Sequence, residues 1–126
     1  IARLRERLEC EHDSMHRLAQ PAWARLASGF HLQVAKLAGN GVLEGYLHEL
    51  ISRCALVVSL YEPPGNASCE HAEHARIVDA IERRDAATAV ALMQEHLDAL
   101  ERHICIDRSG EAASLARMLG LDETHG

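Results

Sequence analysis

Apolar residues recur along most of the chain at intervals of three and four positions, which is the spacing of one face of an α-helix. The pattern predicts five helices, over about 1–19, 21–38, 42–61, 67–84 and 86–106. Glycine and proline mark the breaks, with Gly39-Asn40-Gly41 after the second helix and Pro63-Pro64-Gly65-Asn66 after the third. No segment alternates as a strand does, so we expect an all-α fold, an antiparallel helical bundle with short turns.

Each of the last four helices has an apolar stripe that we expect to face the core. In the second to fifth helices in turn, the stripes comprise Trp23, Leu26, Phe30, Val34 and Leu37; Leu43, Leu47, Leu50, Cys54, Val57 and Tyr61; His74, Ile77, Val78 and Ile81; and Ala89, Leu92, Met93, His96, Leu97 and Leu100. Two helix starts carry further signals, since Pro21 suits a first helical turn and Asp85 suits an N-cap.

The length of 126 residues fits one domain with a real core. We assign residues 1–107 to the helical bundle and residues 108–126 to a C-terminal tail with one short helix near Leu115. The chain begins with Ile1 rather than a start methionine, inside a helical pattern. It therefore reads as a fragment or a trimmed product.

Composition narrows the class of protein. Aromatic residues make up only 3%, so the core must consist of Leu, Ala, Val and Ile. The net charge is −6 without a Lys/Arg cluster, which argues against direct nucleic-acid binding by this segment. The four cysteines have no CxxC spacing, and the sequence has no signal peptide and no membrane-spanning apolar run. We expect reduced thiols, a cytoplasmic location and no membrane partner.

Nine histidines are unusual for this length, and two of them are matched in position. The predicted turn between the last two helices lies at Arg84-Asp85; His74 is ten residues before Arg84, and His96 is eleven after Asp85. At about 1.5 Å per residue, both lie at the same height on neighbouring antiparallel helices, within the apolar stripes. They can share a metal ion through their imidazole nitrogens. The alternative is that each is a hydrogen-bonded core histidine.

His31 is the natural third member, because its neighbours one turn away are mostly small. His48 competes for this place, but it shares a face with Glu44, Gly45 and Ser52 that looks solvated. We leave His71 and His103 out of the ligand set because they lie about a turn or more away from the matched pair. We expect the remaining three histidines to face solvent: His12, His16 and His125.

Two further residues are candidates for ligand binding. Arg53 lies among apolar positions of the third helix, where an arginine usually needs a carboxylate partner. It is either an anion clamp for a small organic acid or a member of an internal salt bridge or a snorkelling side chain. Asn40 is most simply a turn and cap residue, with contact to the ligand as a second role.

Three segments carry a resemblance to a known family: FHLQVAKLAGN (30–40), SLY (59–61) and EHARIVDAIERRDAATAVALMQEHL (73–97). Residues 30–100 resemble the FCD domain, the C-terminal effector-binding half of FadR-type regulators in the GntR family. The resemblance implies an antiparallel helical bundle that forms a homodimer and follows a DNA-binding winged helix, through which the protein contacts operator DNA. It also implies that the first helix of the family is missing here.

Many members of this family hold a divalent metal, such as zinc or nickel, with an aspartate four residues before the first of three histidines. These histidines fall on His31, His74 and His96, and the aspartate position falls on Ala27. Alanine cannot be a ligand, so the fourth position is left to water or to the carboxylate of an effector. The resemblance thus implies a domain that senses a small organic acid at a histidine metal site.

Two other functions stay open. Three histidines and an open position also describe a catalytic zinc site, so the chain could be a metal-dependent helical enzyme. We do not favour an enzyme, because the sequence places no carboxylate as an evident general base beside the three histidines. The other alternative is a plain dimerisation module with an inactive site, which Ala27 would explain.

Overall fold

The computed structural model describes residues 1–61 and 65–104, and these form five α-helices without any strand. The helices are α1 (Ala2–Ser14), α2 (Gln20–Leu37), α3 (Gly41–Tyr61), α4 (Ala67–Glu82) and α5 (Ala86–His103). The all-α prediction is confirmed, although α1 ends earlier than expected. The predicted tail 108–126, with its helix near Leu115, lies outside the described residues, as do Cys105 and His125.

The predicted turn signals act as expected. Pro21 lies in the first turn of α2. Gly39 has φ +72°, in the left-handed region that glycine adopts at little cost, and Asn40 then accepts a 3.1 Å hydrogen bond from the backbone N–H of Leu43. Asp85 caps α5 by accepting a hydrogen bond of the same length from the backbone N–H of Thr88.

The core lies where α1, α2 and α4 meet. Its buried members are Leu4, Leu8, Phe30, Ile77 and Val78, and the inner side of α5 packs against this cluster through Leu92 and Met93. Arg5 reinforces the contact between α1 and α4, because its guanidinium group pairs with Asp79 and Glu82. Helix α5 packs against α4, so the last two helices form the predicted antiparallel hairpin.

Helix α3 differs from its prediction. It packs against α2 and against no other described helix, so only a narrow line of its surface is covered, at Ala55 and Val58. Most of its expected inward stripe is therefore exposed. Two further residues predicted to face inward are also exposed, because Leu37 lies at the end of α2 and Leu97 borders an open groove. The residues for which the inward prediction is wrong are Leu37, Leu43, Leu50, Cys54, Val57 and Leu97.

Three of the cysteines, Cys10, Cys54 and Cys69, are exposed free thiols. None of the helices in the described part of the chain is long and apolar enough to cross a membrane.

Candidate metal centre

Three histidines from three helices meet in the interior. His31 comes from α2, His74 from α4 and His96 from α5, and one ring nitrogen of each lies within 4.8 Å of the others. The Nε2 atom of His96 is 3.2 Å from that of His74 and 3.3 Å from that of His31. His74 and His96 are buried, and His31 is half-buried. The structure thus brings together the three residues selected from the sequence.

The spacing of these nitrogens fits a shared cation. A zinc ion bound by imidazole nitrogens at about 2.0–2.1 Å in tetrahedral geometry holds neighbouring nitrogens ~3.3 Å apart. The two Nε2–Nε2 distances in the cluster, 3.2 and 3.3 Å, agree with this value. The residues present therefore fit a divalent metal of this size, with three nitrogen ligands and a fourth position left open.

Two carboxylates, the buried Glu11 and the half-buried Glu73, fix the orientation of the rings. Both carboxylate oxygens of Glu11 lie 3.0–3.1 Å from Nδ1 of His74, and Oε2 of Glu73 lies 2.5 Å from Nδ1 of His96. When these carboxylates are ionised they only accept hydrogen bonds, so each Nδ1 then carries the proton. In the neutral tautomer that results, Nε2 has a lone pair and no hydrogen. The lone pairs of His74 and His96 consequently point at each other, an arrangement that a cation stabilises.

Ring packing holds the cluster in place. The ring of Phe30 stacks on His74 with centroids 4.0 Å apart and an interplanar angle of 13°. His31 stacks on His96 at 5.2 Å and 20°, and it meets the His74 ring edge-on. Each histidine is therefore positioned by its neighbours as well as by its own helix.

Burial also sets the charge of the site. It lowers the pKa of His31 and of His74 to about 3, and the neighbouring histidines add to the effect. These imidazoles are neutral at pH 7, which is the form that binds metals. Burial raises the pKa of Glu11 to about 7, against the opposing influence of His71.

Two carboxylates that the sequence analysis did not identify, Glu11 and Glu73, contact the cluster. Both approach through Nδ1, on the opposite edge of the ring from Nε2, so they orient the histidines and do not face the open ligand position. A sequence signal for Glu11 existed: it follows Leu4 and Leu8 at helical spacing, so it occupies an apolar stripe. Glu73 had no comparable signal.

The other candidates lie elsewhere. Arg53 is exposed on α3 and pairs with Glu49 at 2.7 Å, one turn away. This contact agrees with a salt bridge, although on the surface and not inside the bundle, and α3 does not pack against α4 or α5. Asn40 caps α3 as expected, and its contact with a ligand stays a prediction. His48 is exposed and does not join the cluster.

His12 and His16 are exposed, as predicted. His71 is half-buried, and its Nδ1 lies 3.5 Å from Oε2 of Glu11, on the outer side of the cluster. Ala27 is buried one turn before His31 on α2, and its methyl side chain offers no ligand atom.

A comparison with protein families gives a match over most of the chain: the family model of the FCD domain matches residues 1–99. The chain belongs to the FCD domain family. FCD domains are helical bundles found in transcription regulators, where they bind effectors. The match extends the resemblance of residues 30–100 back through α1, so both the histidines and the two carboxylates lie within the FCD domain. Comparisons with curated proteins and with solved structures found no match.

Proposed function

We propose that this FCD domain is the effector-sensing and dimerisation domain of a bacterial GntR/FadR-type regulator. In this proposal a small organic acid binds at a divalent metal held by His31, His74 and His96. The observation that carries it is the convergence of the histidine Nε2 atoms, with Nδ1 of His74 and His96 already engaged by carboxylates. A hydrogen-bonded core histidine needs one partner. Here the carboxylates supply that partner at Nδ1 of both residues, so their Nε2 lone pairs remain available to bind a metal.

The metal would be zinc or nickel, for which imidazole is a suitable ligand. When bound, such an ion supplies a positive charge and a ligand position that an anion can occupy. Ala27 leaves the fourth protein position vacant, so water or the carboxylate of the effector can complete the coordination. The half-buried His31 lies on the most accessible side of the cluster.

An apolar groove supports an effector with a carbon skeleton. It has a volume of about 630 Å³ and is formed mainly by α4 and α5. Three of its lining residues, Val34, Ile77 and Met93, each lie one turn along the helix from one of the three histidines. A carboxylate at the metal would therefore have apolar surface close by for the rest of the molecule.

The exposed apolar side of α3 supports a homodimer. Val42, Leu43, Tyr46 and Leu50 are all more than half exposed, although they lie close together on one helix. A surface of this kind favours association with another protein surface, and a second copy is the occupant that we propose. Effector binding would favour one arrangement of the dimer and so change how winged-helix domains outside this chain bind operator DNA.

Elemental analysis of the purified chain tests the metal site. We expect about one zinc or nickel ion per chain after loading and dialysis, and a large loss of metal in His74→Ala and in His96→Ala. His48→Ala is the control, because His48 is an exposed histidine outside the cluster. Unchanged metal content in both cluster variants would show that the metal, if present, is bound elsewhere.

A further inference from the structure

The buried side of α1 ends on a charged residue. Only three residues of this helix are buried, Leu4, Leu8 and Glu11, and they follow one another at spacings of four and three. Leu4 and Leu8 belong to the apolar core. Glu11 has no measurable exposure, although a carboxylate at such a position costs free energy unless it is well hydrogen-bonded. Its contacts therefore decide whether this end of α1 stays docked.

The main contact of Glu11 is His74. Both of its oxygens lie within 3.1 Å of Nδ1 of that ring, and Phe30 covers one face of the ring. The direction of the His74 Nε2 lone pair is thus set by one residue of α1 and one of α2. Glu11 is separated from His74 by 63 positions in sequence, so this hydrogen bond joins the N-terminal helix to the histidine cluster.

We propose that Glu11 is a positioning residue for the metal site and that metal binding in turn fastens α1 to the bundle. This inference rests on the proposed metal function. The N–H group of an imidazole becomes a stronger hydrogen-bond donor when the other nitrogen binds a cation, so the Glu11–His74 bond strengthens. Coupling between two binding events is reciprocal. The docking of α1 and the affinity for metal must therefore favour each other by the same factor.

Glu73 provides the internal comparison. It also accepts a hydrogen bond from a ligand histidine, His96, but both residues belong to the α4–α5 hairpin. Loss of Glu73 should weaken metal binding without releasing α1. Loss of Glu11 should weaken metal binding and should also loosen the docking of α1. Glu9, which is exposed on α1, should do neither.

The same substitution at these three positions tests the proposal, with Zn²⁺ alone as the probe. Glu11→Met keeps the length of the side chain and suits an apolar stripe, but it leaves the Nδ1–H of the buried His74 without its acceptor, so each variant is compared with itself with and without zinc. We expect its zinc affinity, measured by competition with a chelating dye, to fall about 10- to 100-fold. Glu73→Met should show a loss in the same range, and Glu9→Met should match the wild type.

Hydrogen exchange at residues 2–14 provides the second readout. Saturating zinc should slow exchange in α1 of the wild type, of Glu9→Met and of Glu73→Met, but not in α1 of Glu11→Met. If Glu11 had a purely structural role, Glu11→Met would change the exchange rate in α1 by the same factor with and without zinc. Wild-type protein in which zinc protects α4 and α5 but leaves α1 unchanged would overturn the proposal, as would unaltered zinc affinity in Glu11→Met. Wild-type protein that binds no zinc would instead contradict the metal function itself.

Discussion

The α2–α3 and α4–α5 hairpins are closed by similar turns, yet helix α3 of the first hairpin and helix α4 of the second are packed differently by the rest of the chain. In both, a side-chain oxygen of the cap residue, Asn40 or Asp85, accepts a 3.1 Å hydrogen bond from a backbone N–H three residues later. Helix α4 is packed by α1, α2 and α5, whereas α3 is packed by α2 alone. Ile77 on α4 is 1% exposed, and Leu50 on α3 is 58% exposed.

The difference shows what a periodic sequence pattern determines. Three- and four-residue spacing specifies that a helix has an apolar face, and both helices have one. Whether that face is buried depends on how many other elements pack over it. In this chain other helices cover the apolar face of α4, whereas the apolar face of α3 is exposed and available to a partner.

The largest expected effect comes from truncating one apolar side chain to alanine in each of the two hairpins. Ile77→Ala removes a fully buried side chain and leaves a cavity, so we expect the free energy of unfolding to fall by about 2–5 kcal/mol. Leu56→Ala removes a mostly exposed side chain of α3 and should change the stability of the monomer by less than ~0.5 kcal/mol. Urea denaturation of dilute protein measures both values. Equal losses would mean that α3 is covered within a single chain.

The next prediction concerns the proposed dimer. We expect the wild type to sediment as a dimer at tens of micromolar, and Leu50→Glu to weaken association about 100-fold, equivalent to ~2.7 kcal/mol, because it places a charge in an apolar contact. Val90→Glu is the matched control, since Val90 is also more than half exposed but lies on α5. A monomeric wild type that stays monomeric with added ligand would refute the dimer, and an equal effect of Val90→Glu would refute the choice of surface.

The smallest expected effect concerns Ala27, next to the histidine cluster in sequence. A carboxylate added to a three-histidine site attracts the cation more strongly in a partly dry cavity than in water. Ala27→Asp should therefore tighten metal binding about tenfold, equivalent to roughly 1.4 kcal/mol. Metal titration and thermal melting of this variant separate ligation from simple burial of a charge. Ala24→Asp, one turn earlier and also buried, is the control that should only lower the melting temperature.

An unchanged metal affinity together with a lower melting temperature in Ala27→Asp would show that residue 27 does not border the site. The same variant should also weaken the binding of a carboxylate effector, because the aspartate would occupy the position that Ala27 leaves open.

The sequence predicted the α4–α5 part of the site best. A short turn between regular helices fixes the relative heights of His74 and His96, and both residues lie in apolar stripes, so local geometry was sufficient. His31 was also identified, because small neighbours leave room beside its ring. The Glu11–His74 contact required knowing how α1 packs against α4, which depends on the whole bundle and not on any local spacing.

Arg53 illustrates the opposite problem. Its apolar neighbours along α3 suggested an enclosed arginine that needs an anion, but those neighbours are themselves exposed, so the guanidinium group pairs with Glu49 at the surface. The prediction for one residue thus depended on the prediction for the whole face of its helix. Because α3 is not covered by the rest of the chain, the prediction for its apolar stripe and the prediction for Arg53 fail for the same reason.

The turn between α4 and α5 fixes the direction in which the α5 side chains point around the helix axis, as well as their level relative to α4. Arg84 adopts φ +56°, and Asp85 directly after it caps the next helix. Each additional helical residue turns the following side chains by about 100° around the axis. One residue inserted after Arg84 would therefore swing His96 away from His74 while every side chain of the site remained in the chain. If the metal binds as proposed, a single-codon insertion or deletion in this surface turn should be as harmful to metal binding as the loss of a histidine, although the turn itself holds no ligand.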